Sequence, residues 1–190
     1  KLTPRLVYGR LTAWGQDGPY AARAGHAVNF IAVSGALSFV GRRGEAPMPP
    51  LGAMGDMSGA IQLALGLVCA YVEAGRSGKG QVVDGAMTDA SILLLSIILG
   101  EQAKGNWPGG RGENMADTGS HFYEVYETSD GGYVSVGAIE PQFYAVLCEA
   151  VGADAEMAGA QYDAARWPEF KTRLAALFAK RTRAEWTTIL

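Results

Sequence analysis

Histidine and cysteine are scarce in this chain, two of each among 190 residues. That scarcity excludes a His/Cys metal centre of zinc-finger spacing and a disulfide scaffold. Cys69 and Cys148 each fall in apolar helical patterns, and they read as small buried hydrophobes of a reducing compartment. Charge is also low: 18% of residues are Asp, Glu, Lys or Arg, and the net charge of −3 comes without a basic cluster. No electrostatic footprint for nucleic acid is present. The longest apolar runs, residues 60–72 and 91–99, are shorter than the ~20 residues of a spanning helix, so no membrane span is expected. Glycine, at 26 residues, is the one type in excess, and it points to tight turns and close backbone approaches.

What is present has α/β grammar. RLVYGRLTA (5–13) reads as a buried strand and WGQDGPY as a loop, followed by a helix from about Gly25 to Phe39. The prolines of GRRGEAPMPPLG exclude regular helix. A strongly apolar helix then runs from Asp56 to about Ala74, with Met57, Ile61, Leu65, Val68 and Val72 at helical spacing. QVVDGAM reads as a short strand, and a second apolar helix spans about Thr88 to Lys104. NWPGGRGENMADT is turn-rich and marks a lobe boundary. Beyond it, FYEVYETSDGGYVSVGA is a β-hairpin, Pro141 opens a helix, WPEFKTRLAALFAKR is amphipathic, and TRAE (182–185) is a capping box. The expected organisation is one α/β domain over 1–105 and a linker with a small α+β domain over 106–190. The chain opens on a strand without an initiating methionine and closes in a helical pattern, as expected of a piece of a longer protein.

Three residues could carry chemistry, and each has a plainer reading. Asp56, in GDMSGA, is either an N-cap or a carboxylate beside a ligand, since Gly52, Gly55 and Gly59 allow close approach to the backbone. His26, in AGH, is either structural or a proton acceptor at neutral pH, a role suited to a half-buried place. Glu140, in AIEPQF, either caps the helix at Pro141 or is functional. His121 has no evident partner, and Arg42, Arg43, Arg76 and Lys79 sit in turns where basic residues are ordinarily solvated. LGAMGDMSG is no nucleotide fingerprint, lacking both G-x-G-x-x-G and a P-loop lysine.

Taken together and in order, YGRLTAWGQDGPYAARAGHAVNFIAVSGAL, PMPPLGAMGDMSGA, RSGKGQVVDGAM and YETSDGGYVSVGAIEPQFY resemble the α-methylacyl-CoA racemase branch of the family III CoA-transferases. The resemblance covers residues 5 to about 152 and continues weakly through RWPEF and AEW. It implies the family fold: part of a Rossmann-like large α/β domain and a smaller α+β domain, in an interlocked homodimer, with segments missing at both ends. It implies His26, Asp56 and Glu140 as catalytic residues, with Glu140 orienting the histidine from across the dimer interface. It implies substrate contacts at Gly25, Ala27, Asn29, Phe30, Gly55 and Tyr123. Where racemases commonly have Asp and Tyr just after the histidine, this chain has Ala27 and Phe30; Gly52 replaces an asparagine and His121 a proline.

The chemistry so implied inverts the centre next to a thioester carbonyl by proton removal on one face and delivery on the other. His26 and Asp56 would flank that carbon, and N–H groups around Gly55–Asp56 would stabilise the enolate. No metal and no cofactor is expected, coenzyme A being part of the acyl-CoA substrate. The resemblance implies a setting in cytoplasmic lipid and fatty-acid metabolism. Two other readings stay open: CoA transfer with Asp56 as nucleophile, and a non-catalytic CoA-binding or dimerising relative.

Overall fold

The computed structural model describes residues 3–190 and divides into two compact units. The first comprises the residues up to Val40 together with Pro47–Asn106; the second comprises Gly41–Ala46 and Trp107–Leu190. The short GRRGEA stretch therefore belongs with the second unit, which the turn-rich boundary near residue 106 did not foretell.

In the first unit β1 (Tyr8–Thr12) lies parallel to β2 (Val82–Ala86), in a register that sets Tyr8 beside Val82 and Thr12 beside Ala86. Parallel strands need a crossover, and helix α2 (Ser58–Ser77) supplies it. The helix lies close on the sheet because small residues meet large ones. A Cβ on Gly9 would come within 2.9 Å of the Leu67 side chain, and a Cβ on Gly66 within 2.9 Å of Val83. Only that side of α2 is covered. Ile61, Leu65, Val68 and Val72 repeat along its other side at the expected helical period and are exposed, and Cys69 beside them is exposed rather than the buried hydrophobe expected. The two-stranded sheet is too small to enclose the helix, and for the same reason β1 is half-exposed rather than buried. Together with the turn before it, the helical run Ala53–Ser77 is also long and apolar enough, by length and composition, to cross a membrane. The 60–72 run alone is too short, but the helix continues beyond it at both ends.

Helix α1 (Ala27–Val33) is shorter than the spacing predicts. Gly35 takes the left-handed conformation (φ 85°), its N–H donates to Ala32 O at 3.0 Å, and a 3₁₀ turn follows over Ala36–Phe39. The second apolar helix is likewise two, α3 (Met87–Leu94) and α4 (Ser96–Ala103), broken where Leu95 drops into the core with Ala13, Phe30, Ile31 and Ala36.

The second unit is built on an antiparallel hairpin, β3 (Tyr123–Glu127) and β4 (Tyr133–Gly137), with Tyr123 opposite Gly137. Strict alternation turns Glu124 and Tyr126 inward and Tyr123 and Val125 outward. Helices α5 (Pro141–Val151), α6 (Ala155–Ala158), α7 (Trp167–Phe178) and α8 (Arg183–Ile189) complete it. The core gathers Phe122, Tyr126, Tyr144, Leu147, Phe170 and Phe178. Cys148 is buried there. Thr182 and Glu185 form the reciprocal cap at the start of α8. Arg42, exposed as its turn suggests, is nevertheless paired. Its guanidinium makes two hydrogen bonds of 2.8 and 2.9 Å to Glu124, whose carboxylate also takes Lys171 at 2.8 Å and is only 2% exposed. Burial opposes the charge on Glu124, but Arg42 and Lys171 hold its carboxyl below the usual range. Arg43 pairs with Glu113 at 2.8 Å.

Candidate active site

His26 stands at the N-cap of α1, in extended backbone, with Asn29 Oδ1 accepting its N–H at 3.0 Å. The loop leading into it is held by aromatic packing. Trp14 lies 5.2 Å from Tyr20 and edge-on to Phe30, and a Cβ on Gly25 would fall 2.8 Å from the Trp14 ring. Gly25 is thus needed for the indole to approach the chain this closely beside His26. The imidazole itself is exposed, not half-buried.

Asp56 is not an N-cap. It sits inside one turn of π-helix, Ala53–Met57, whose Gly52 is left-handed (φ 79°), and α2 begins only at Ser58. Its carboxylate accepts no capping hydrogen bond, which leaves an exposed acidic group free for other work. π-turns of this kind recur at functional sites. The turn closes through Gly55 N–H and Met57 N–H, both donating to Gly52 O, at 3.2 and 3.3 Å. The Gly55 N–H is therefore committed to the turn and does not offer itself to an enolate.

The elements that carry the two groups pack together. Ala27, next to His26, is the neighbour that a Cβ on Gly55 would meet at 3.2 Å and a Cβ on Gly52 at 3.9 Å. A Cβ on Gly52 would also lie 3.1 Å from Asp56 Oδ2. A Cβ on Gly55 would overlap the Phe30 ring. Phe30 and Gly55, expected to touch substrate, are both buried and support the surface from beneath. Ala27 and Gly25 are half-buried, and Asn29 is exposed.

Glu140 and Tyr123 belong to the second unit, at one end of its hairpin. Glu140 is the N-cap of α5 through its carbonyl, which accepts from Phe143 and Tyr144 N–H at 3.0 and 2.9 Å; its carboxylate caps nothing and is exposed. Gln161 Nε2 donates to Ala138 O and Ile139 O at 3.1 and 2.8 Å, and Tyr162 Oη donates to Ile139 O at 2.6 Å. The strand exit that carries Glu140 is thereby fixed by residues that local patterning does not reveal. Tyr123 is exposed on the outward face of the hairpin, beside a shallow cavity of about 350 Å³ lined also by Thr118, Val125 and Ser135. His121 does have a partner: its Nε2 lies 2.7 Å from Tyr144 Oη. Among the described residues no group of three or more His, Cys, Asp or Glu side chains could hold a metal ion.

Set against known proteins, the sequence matches CoA-transferase family III over residues 1–190. The chain belongs to that family. It is 45% identical to mouse α-methylacyl-CoA racemase and 42% identical to the human protein of the same name, each over 98% of this chain and 49% of the relative. Among solved structures, a CaiB/BaiF family protein from Brucella suis superposes with a TM-score of 0.72 at 26% identity, over 98% of this chain and 51% of that one. The chain thus spans about half the length of the curated relatives it matches. The family fold seen in that structure is the α/β architecture expected from the sequence.

Proposed function

We propose that the protein bearing this chain inverts the C2 centre of 2-methylacyl-CoA thioesters by proton transfer through an enolate. The observation that carries the reading is the packing of Ala27 on Gly52 and Gly55, which supports His26 and Asp56 as one acid/base pair on a single surface. The pair suits the chemistry: an imidazole and a carboxylate, on separate elements, can address opposite faces of one carbon and exchange roles with direction. Glu140, with a carboxylate free of capping duty, is the group we assign to orienting the imidazole. Tyr123, Gly25, Ala27 and Asn29 are assigned to the substrate surface. No metal or further cofactor enters this reading. The partner is a second copy of the chain in an interlocked homodimer, in keeping with the uncovered apolar side of α2. Both cysteines are free thiols, in keeping with a cytoplasmic setting.

The test incubates the full-length protein with one enantiomer of a 2-methylacyl-CoA in D2O, following the C2 proton by NMR and the products by chiral chromatography. Exchange with inversion is expected, falling by a factor of about 10² or more in His26→Ala and Asp56→Ala. Acyl-CoA formation from an added carboxylic acid, without C2 exchange, would instead make Asp56 the nucleophile of a CoA transfer.

A further inference from the structure

The turn that carries Asp56 is tied from outside by two hydroxyl groups that meet at one carbonyl. Ser58 Oγ lies 2.9 Å from Met54 O, and Ser91 Oγ lies 3.0 Å from the same oxygen. Ser58 is local, the first residue of α2. Ser91 comes from α3, 37 residues further on, and is fully buried. Each hydroxyl has a second acceptor, Gly55 O at 2.9 Å for Ser58 and Met87 O at 2.8 Å for Ser91. A helical serine ordinarily satisfies its one proton on the carbonyl four residues back, as Ser91 can on Met87. Sharing that proton with Met54 O adds a directional contact between α3 and the Asp56 turn to the apolar packing of Met54 and Met87 on a common core.

Position matters here because Met54 is two residues before Asp56, inside the same single turn. The underside of that turn is apolar, with Phe30 against Gly55 and Ala27 against Gly52 and Gly55. Apolar packing is non-directional. Directional hydrogen bonds to a carbonyl do specify rotation. Ser91 therefore has the geometry to set where the Asp56 carboxylate points, without touching it.

We propose that Ser91 is a positioning residue for Asp56, holding the Met54 carbonyl and through it the pitch of the π turn. The proposal rests on the reading of Asp56 as one of two acid/base groups. That reading supplies a discriminating test, because in a two-base racemase each enantiomer loses its C2 proton to a different group. A variant that misplaces one base slows exchange from one enantiomer selectively. Loss of folded protein slows both alike.

The experiment measures C2 hydrogen–deuterium exchange from each enantiomer separately, with the full-length protein and its Ser91→Ala, Ser91→Thr and Asp56→Asn variants. Asp56→Asn first identifies the enantiomer that depends on Asp56. In Ser91→Ala, exchange from that enantiomer is expected to fall about tenfold or more, and from the other by less than about twofold. Ser91→Thr, which keeps a hydroxyl, is expected to recover most of the loss. If Ser91→Ala does not fold, Ser58→Ala removes the other hydroxyl from the same carbonyl and is expected to show the same asymmetry. Equal slowing of both enantiomers, or no slowing, in the folded variant overturns the proposal while leaving Asp56 in place. Full exchange from both enantiomers in Asp56→Asn overturns the reading of Asp56 itself, and the proposal with it.

Discussion

At the scale of single residues, the two histidines are opposites. His26 is exposed at a helix start; His121 is fully buried between Phe122, Tyr144 and Phe170. With the Tyr144 hydroxyl donating to Met157 O at 2.9 Å, His121 Nε2 donates to Tyr144 Oη, and the buried Nδ1 has no hydrogen-bond partner. Protonating Nδ1 would place a charge among aromatic rings, and burial lowers the pKa of this histidine to about 4. The unfolded chain titrates near the ordinary value of ~6.5, so between the two values it binds more protons than the folded one. Stability is therefore full above pH ~6.5 and is lost as pH falls toward 4, by up to about 3 kcal/mol from this residue. The check is thermal denaturation of wild type and His121→Leu from pH 7 to 4.5. The wild-type midpoint should fall more steeply with acidity, and parallel curves would remove His121 as the cause.

At the scale of elements, the contact of α1 with the Asp56 turn depends on volume. Gly55 is buried, and an added Cβ would overlap the Phe30 ring with no void to receive it. Gly55→Ala is expected to cost about 1–3 kcal/mol through overpacking. Phe30→Leu makes room, so the double variant should be less destabilised than the sum of the two singles. Additive losses in a denaturation cycle would show that the two residues do not compete for the same space. This contact also marks how far the sequence could be read. The hairpin, the start of α5 at Pro141 and the Thr182–Glu185 cap are written in local chemistry: alternation, a turn signal, a fixed φ and a four-residue spacing. The break at Leu95 is not, because nothing in ASILLLSIIL disfavours continuous helix; the core position of one leucine decides it. Ser91 and Gln161 were equally unreadable. A serine or glutamine in such surroundings is common, and its meaning comes from carbonyls 37 and 22 or 23 residues away. The family motifs around His26 and Asp56 singled both out as candidates, but the π turn that frees the Asp56 carboxylate was not legible.

At the scale of the whole molecule, the apolar side of α2 is the unfinished part of the structure. Ile61, Leu65, Val68 and Val72 follow one another at steps of three or four, and Leu65 and Val68 are 64% and 61% exposed. Burying one such side chain contributes about 1.5–3 kcal/mol, so a row of four is a large driving force left unused by the chain alone. The proposed homodimer predicts that this row is covered in the full-length protein. Cys69, exposed beside Val68 and Val72, reports on it directly. Its thiol should react readily with a soluble disulfide reagent in the 190-residue chain and slowly in the full-length dimer, while the buried Cys148 stays slow in both. Leu65→Asp adds the functional half of the argument. A charge set into a covered apolar row should weaken self-association by about 2–3 kcal/mol, raising the dimer dissociation constant by about 30- to 150-fold on sedimentation. A full-length protein with fast Cys69 and an unchanged dissociation constant would show that α2 stays open to solvent and that the subunits meet elsewhere.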